Sequence, residues 1–278
     1  FASLDYLQIF ILGVIQGITE LLPVSSTAHM RVVPALLGWQ DPGSAFSAAM
    51  QLAALAAVVS YFWRDVRQVT TGSISAVRRG DYNDRWFKLA VAIVLATVPI
   101  GIAGLALSST LNACNSPLRG LMVIGISCVV MAVLLAVAEL RARHTRDVSQ
   151  MRLRDALIVG VAQIGALIPG VSRSGSTLTA ALFLNFKREE AARFSFLLGL
   201  PAIALAGLKE LWVLLRADLP AHAWPHLIFG LVVASVSAFF AIWGLMKFLE
   251  RFSTWPFVIY RALLGVFLIV AVSTGLLT

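Results

Sequence analysis

Four stretches of this chain, residues 42–63, 89–118, 120–138 and 219–246, contain no Asp, Glu, Lys or Arg. Each reaches the roughly 18 apolar residues that mark a helix able to cross a bilayer. A water-soluble domain would place a charge every few residues, with about a quarter of its residues charged. Here only 13% of 278 residues are charged and 59% are hydrophobic, with a mean hydropathy of +0.86. The chain therefore reads as an all-α polytopic membrane protein. Its formal charge of +8, from 22 Lys+Arg against 14 Asp+Glu, belongs to loops. Membrane orientation and anionic lipid account for it better than nucleic acid does.

Two polar passages are written twice within this oily background. Gln16-Gly-Ile-Thr-Glu20-Leu-Leu-Pro23-Val-Ser25-Ser26-Thr27-Ala-His29 is answered by Gln163-Ile-Gly-Ala-Leu-Ile-Pro169-Gly-Val-Ser172-Arg173-Ser174-Gly175-Ser176-Thr177. Gln16 and Gln163 are 147 positions apart, and Phe46-Ser47 matches Phe194-Ser195 at nearly the same spacing. Half-chain symmetry of this kind points to two structural repeats in one membrane domain. We expect a first repeat at 1–140, a basic connector at 141–155 and a second repeat at 156–278. Each repeat should hold one broken segment (4–37 and 156–186) followed by three spans. Those spans are expected at 44–63, 87–107 and 118–140, then at 194–214, 226–249 and 255–277.

The arms of the broken segments are too short for about 30 Å of hydrocarbon, so each is expected to be a re-entrant helical hairpin. Residues 64–88, 141–154 and 187–193 are rich in Arg and Lys and read as cytoplasmic loops, whereas 108–117 carries no charge and reads as external. With three crossings per half the second repeat is inverted relative to the first. The first hairpin then opens outside, the second inside, and the tips meet near the midplane. No cleavable signal is expected at Phe1, and a few residues are expected to have been trimmed before it. Cys114 reads as a loop residue and Cys128 as deep in a helix, so neither a disulfide nor a metal site is expected from them.

Charged and hydroxylated side chains are costly in a bilayer and mark function. Gln16 and Glu20 share one helical face; Pro23 ends that helix, and Ser25-Ser26 can cap the next. Ser172 to Ser174 do the same at the second tip. Two helix N-termini aimed at one centre, with Arg173 beside them, make an anion site suited to phosphate. Glu20, Ser25, Ser26, Thr27 and His29 add the groups needed for nucleophilic attack and proton transfer. Plainer roles exist for most of these: Ser25 and Ser26 as helix caps, His29 as an interhelical hydrogen-bonder, Glu20 as a neutral structural group, Arg173 as a snorkelling side chain and Gln51 as packing rather than cavity lining. Arg261 reads as snorkelling toward the cytoplasm.

These two motifs, in this order and separation, resemble the undecaprenyl-pyrophosphate phosphatase family, also called bacitracin-resistance proteins, and the likeness runs from about residue 4 to the C-terminus. The resemblance implies a phosphatase of the bacterial inner membrane, facing the periplasm, that converts undecaprenyl (polyprenyl) pyrophosphate to the monophosphate and so recycles the lipid carrier for cell-wall synthesis. It also implies a divalent cation, Mg²⁺ or Ca²⁺, and a homodimer. By position it makes Ser26 the nucleophile, Glu20 a metal ligand or base, His29 the acid/base partner and Arg173 the pyrophosphate clamp. Gln16, Ser25, Thr27, Gln51, Ser172, Ser174 and Thr177 would contact substrate, and Gln16 would join Glu20 on the metal. The commonest form of the motif has Glu where this chain has Gln16; an amide can coordinate a cation but cannot act as a base. The alternative reading is a polyprenyl-phosphate transporter or flippase, since inverted repeats also suit alternating access. The acid/base groups at the first tip favour the enzyme.

Overall fold

A computed structural model describes residues 1, 3–107, 120–217, 220 and 223–277, with residues 44 and 45 as backbone only. Eleven α-helices occur among them: α1 (Tyr6–Leu21), α2 (Ser26–Leu37), α3 (Ser44–Tyr61), α4 (Trp63–Arg79), α5 (Arg85–Ala106), α6 (Leu121–Arg141), α7 (Leu153–Gln163), α8 (Arg173–Phe183), α9 (Arg188–Arg216), α10 (Ala223–Leu249) and α11 (Trp255–Ser273). The only strand-like pairing among the described residues is one bridge between Arg146 and Phe186. Helices α5, α6, α9, α10 and α11 are long and apolar enough to cross a bilayer, and α3 with α4 adds a sixth candidate if that bent pair counts as one span. This is a multi-pass membrane protein. Its outward side chains agree: Ile102, Phe240 and Leu263 are each more than 60% exposed, which suits lipid rather than water.

Local chemistry sets the helix ends. Asp5 accepts from the Gln8 amide at 2.7 Å while the Gln8 side chain accepts from the Asp5 amide at 3.0 Å, a capping box that starts α1. Asp84 caps α5 through the Trp86 amide at 2.8 Å. The first broken segment divides at residues 22–25 into α1 and α2. The second divides, after a 3₁₀ turn at Ile164–Leu167, into α7 and α8. At 16, 12, 11 and 11 residues, and ~1.5 Å per residue, none of the four is long enough to span.

Two stretches depart from expectation. Residues 187–193 read as a basic loop, but all except Lys187 belong to α9, whose first turn carries Glu189 and Glu190, as the helix dipole favours. Residues 64–88 read as a basic loop, but most of them form α4, which turns 79° from the line of α3. Charge density suggested a loop, yet the charges are placed as a helix favours: Asp65 in the first turn, Arg78 and Arg79 in the last, matching the helix dipole. The face made by Val66, Val69 and Ala76 is the covered one, and α4 packs on α5.

The halves exchange partners. Helix α1 lies along α10 and α7 along α5, so the short first helix of each half packs on a span of the other; α6 packs on α11, and α3 on both α9 and α10. Gly17 shows how close this approach is. A methyl there would sit 2.7 Å from Ser237 Cβ and 2.8 Å from the Ala238 amide nitrogen on α10. At the basic end Glu139 accepts from Arg188 and, at 2.9 Å, from Thr254. Arg193 joins Asp65 there, and Arg146 meets Asp155 at 2.5 Å. Burial pushes the Asp155 carboxyl up, but Arg146 and the Arg152 amide outweigh it and hold the group below its ordinary value.

Candidate active site

The turn into the second helix of each broken segment is made by a serine with positive φ: Ser25 at 72° and Ser172 at 71°. They stand 147 positions apart, the spacing of the sequence repeat. Each caps its own helix, Ser25 Oγ accepting from the Ala28 amide at 3.4 Å and Ser172 Oγ from the Gly175 amide at 3.1 Å. A non-glycine residue held there costs about 1–3 kcal/mol and persists only where its surroundings impose it. Gly170, just before the second serine, has φ 94°, and a methyl on it would stand 2.7 Å from the Ile124 carbonyl oxygen.

The two turns present their next residues, Ser26 and Arg173, to a single carboxylate. Ser26 Oγ donates to Glu20 Oε2 at 2.5 Å and Gln16 Nε2 donates to the same oxygen at 3.0 Å. Arg173 Nη2 donates to Glu20 Oε1 at 3.0 Å across 153 residues of sequence. The Glu20 and Arg173 side chains are 5% and 14% exposed, so the pair is largely shielded and its charge–charge attraction is little screened. A cavity of about 190 Å³ opens beside them. Its polar wall is Glu20, Ser26, Thr27, Gln51, Ser172 and Arg173, and its apolar wall includes Ile100, Leu167 and Ile203. A larger space of about 940 Å³ lies at the basic end among Asp65, Arg85, Arg152 and Arg193. None of the residues of the two repeated motifs lines it.

Other expected site residues lie elsewhere. Gln16 is buried behind Glu20, and Ser25 is buried as a cap. Ser174 Oγ donates to the Leu22 carbonyl at 3.1 Å and so ties the second tip to the first. Thr177 is fully buried, donates to the Arg173 carbonyl at 2.8 Å and pairs with Ser195; it does not line the cavity. Nor does His29, whose Nδ1 meets the Ser25 carbonyl at 2.7 Å and whose Nε2 meets the Tyr260 hydroxyl at 2.5 Å. No group of three or more His, Cys, Asp or Glu among the described residues could hold a metal ion. Cys128 is free and buried, and Cys114 lies outside the described residues.

Comparison with known proteins supplies the family. Residues 9–267 match the family model described as bacitracin resistance protein BacA. The chain belongs to the BacA family. Among curated BacA-like relatives, "Undecaprenyl-diphosphatase 2" of Mesorhizobium japonicum is 74% identical over 94% of this chain and 98% of its own length. "Undecaprenyl-diphosphatase" of Gloeobacter violaceus is 51% identical over 97% and 93%, and that of Synechococcus elongatus 49% over 99% and 96%.

The BacA match includes two residues that the sequence reading misplaced or missed. Arg261 does not snorkel: it is 1% exposed and bonds to the Pro23, Gly170 and Val171 carbonyls. Its place six residues into α11, close to a basic end, suggested an escape route that the packing of both tips closes. Tyr260, beside it, had no signal beyond that neighbour. An arginine inside an apolar helix is a functional candidate by default, and that rule was the available clue to both.

Proposed function

We propose that this chain is an undecaprenyl-diphosphatase that hydrolyses the terminal phosphate of a membrane-anchored polyprenyl diphosphate, giving the monophosphate and inorganic phosphate. The observation that carries the reading is the meeting of Ser26, Glu20 and Arg173, from two distant segments, in one small cavity. Its chemistry matches the name borne by relatives that align along nearly the whole chain.

In this reading the diphosphate enters opposite Arg173, and the guanidinium exchanges Glu20 for phosphate oxygens, a pairing it makes in bidentate fashion. The α2 and α8 N-termini point free amides at the same charge. Glu20, released from Arg173, takes the Ser26 proton, and Ser26 Oγ forms a bond to the terminal phosphorus as the bridging P–O bond breaks. Water then cleaves the phosphoserine, its second proton staying on the released inorganic phosphate as the Ser26 Oγ–P bond breaks, and Glu20 returns its proton to Ser26. His29 stands outside these steps.

A divalent cation belongs to the proposal as well. The donor set fits an ion shared with the substrate, because Mg²⁺ is commonly held by one or two carboxylates plus phosphate oxygens. Glu20, the Gln16 carbonyl oxygen and Ser26 would hold it. When bound it would neutralise phosphate charge and polarise the phosphoryl group.

We further propose that the two halves are inverted repeats of re-entrant hairpins in the inner membrane and that the site faces the periplasm. Support comes from the paired serines at the same spacing, the reciprocal packing of α1 on α10 and α7 on α5, and the cavity's place along the helices. Ile100, Ile203 and Ala206 line it at or just past the middle of α5 and α9, on the side remote from Arg85, Lys88 and Arg188.

Purified protein supplied with undecaprenyl diphosphate and Mg²⁺ should release phosphate. Glu20→Gln, Ser26→Ala and Arg173→Lys should each lower kcat/KM by roughly 10³-fold or more while remaining folded. A wild-type protein that releases no phosphate with any divalent ion defeats the proposal.

A further inference from the structure

Where both tips leave helical geometry their carbonyls lose helical partners, and inside a membrane no bulk water replaces them. One side chain serves three of these groups. Arg261 Nη1 donates to the Pro23 carbonyl at 2.9 Å, and Nη2 donates to Gly170 at 2.7 Å and Val171 at 2.9 Å. Pro23 and Gly170 are separated by 147 positions, as Ser25 and Ser172 are, so the two nitrogens of one fork hold matching points of the two turns. Among the described residues Arg261 forms no ion pair with a carboxylate. A guanidinium buried at 1% exposure without a counter-ion is expensive, and apolar packing would not require it.

The residue before it extends the same device. Tyr260 stacks on His29 with ring centres 5.6 Å apart and planes 6° off parallel, and its hydroxyl meets Nε2 at 2.5 Å. The Ser25 carbonyl can only accept, so His29 Nδ1 carries the proton there; in the neutral ring Nε2 accepts from Tyr260. Both imidazole nitrogens are thereby engaged behind the tip rather than in the cavity.

We propose that Arg261 and the Tyr260–His29 pair are positioning residues. From α11, Arg261 fixes the carbonyls of Pro23, Gly170 and Val171, and Tyr260 holds His29 of α2 on the Ser25 carbonyl; together they hold Ser25 and Ser172 in their unusual turns, and so set Ser26 and Arg173 against Glu20. The inference rests on the phosphatase reading and assigns His29 a different task from acid/base catalysis. Lysine would keep the charge at 261 but not the fork that bridges two turns.

The test uses full-length protein, undecaprenyl diphosphate and Mg²⁺, with kcat, KM and thermal unfolding midpoint measured for Arg261→Lys, Arg261→Gln, His29→Asn and His29→Ala. Misplacement by about 1 Å can cost 10²-fold in rate. Arg261→Lys should lose roughly 10- to 100-fold in kcat with KM within threefold and a midpoint within a few degrees. Asparagine presents an amide N–H near the place of Nδ1, so His29→Asn should keep at least about a tenth of wild-type kcat, whereas His29→Ala falls well below that. Three results overturn the proposal: wild-type kcat in Arg261→Lys, a large fall in midpoint or failure to fold in both Arg261 variants, or a His29→Asn enzyme as inactive as His29→Ala. A wild-type protein that releases no phosphate is a different outcome; it removes the phosphatase reading and this inference with it.

Discussion

Glu20 collects three donors, from Gln16, Ser26 and Arg173, and each contributes something different to the site. Gln16 is the informative one. Its amide donates to Glu20 without adding charge, whereas Gln16→Glu would place a second carboxylate at hydrogen-bond distance. Two carboxylates that close share a proton or recruit a cation. We expect Gln16→Glu to lower the Mg²⁺ concentration for half-maximal phosphate release by about tenfold, through the extra charged ligand, and to make the unfolding midpoint more sensitive to a chelator. An unchanged metal titration places Gln16 outside the ion's coordination shell. Thr177 makes the contrasting case. Its hydroxyl is spent on the Arg173 carbonyl and Ser195, so Thr177→Val should cost about 1–2 kcal/mol of stability and leave KM unaltered. A raised KM at normal stability returns Thr177 to the substrate. The motif told which polar residues gather at the start of α8, but not which side of that helix faces the cavity; the partners of Thr177 and Arg173 depend on α9 and α1.

Helix boundaries at the broken segments were readable because Pro23 and the Pro169-Gly170 pair interrupt apolar runs, and α1, α2 and α8 end within a few residues of expectation. Helix α4 was not readable, since its 17 residues include Arg64, Arg67, Arg78 and Arg79 as well as Asp65, and hydropathy cannot separate an interfacial amphipathic helix from a loop. The positive φ of Ser25 and Ser172 was also hidden. Serine has no preference for that region, which persists only where the surroundings impose it, a task we assign to Arg261 and the packing of both tips. Gly170 puts that strain to the test. Gly170→Ala meets both a φ of 94° and the Ile124 carbonyl, so it should cost at least about 2 kcal/mol and remove most activity. A methyl on Gly101 in α5 would have nothing within 4 Å of it, so Gly101→Ala should leave activity intact and stabilise by up to about 1 kcal/mol. Thermal unfolding in detergent compares the two. Equal behaviour would mean that the turn at 170 is not strained as described.

At the scale of the molecule, the sequence implied two related halves but not that they interlock, because long-range helix pairing leaves no local signature. The interlocked arrangement places the ion pairs of Glu139, Asp65 and Asp155 at one end and the cavity toward the other, so membrane orientation decides where the chemistry occurs. In the proposed orientation, with arginine and lysine retained on the cytoplasmic side, Ser149, exposed among the basic residues, is expected inside the cell, and the uncharged stretch 108–117 that holds Cys114 is expected outside it. Cys128 is fully buried and should stay silent to a polar reagent. In intact spheroplasts a membrane-impermeant maleimide should label Cys114 of the native sequence. In a Cys114→Ser background carrying Ser149→Cys, labelling should appear only after permeabilisation. The reverse pattern would turn the protein over: the cavity would then face the cytoplasm, and the diphosphate lipid would have to reach it from the inner leaflet.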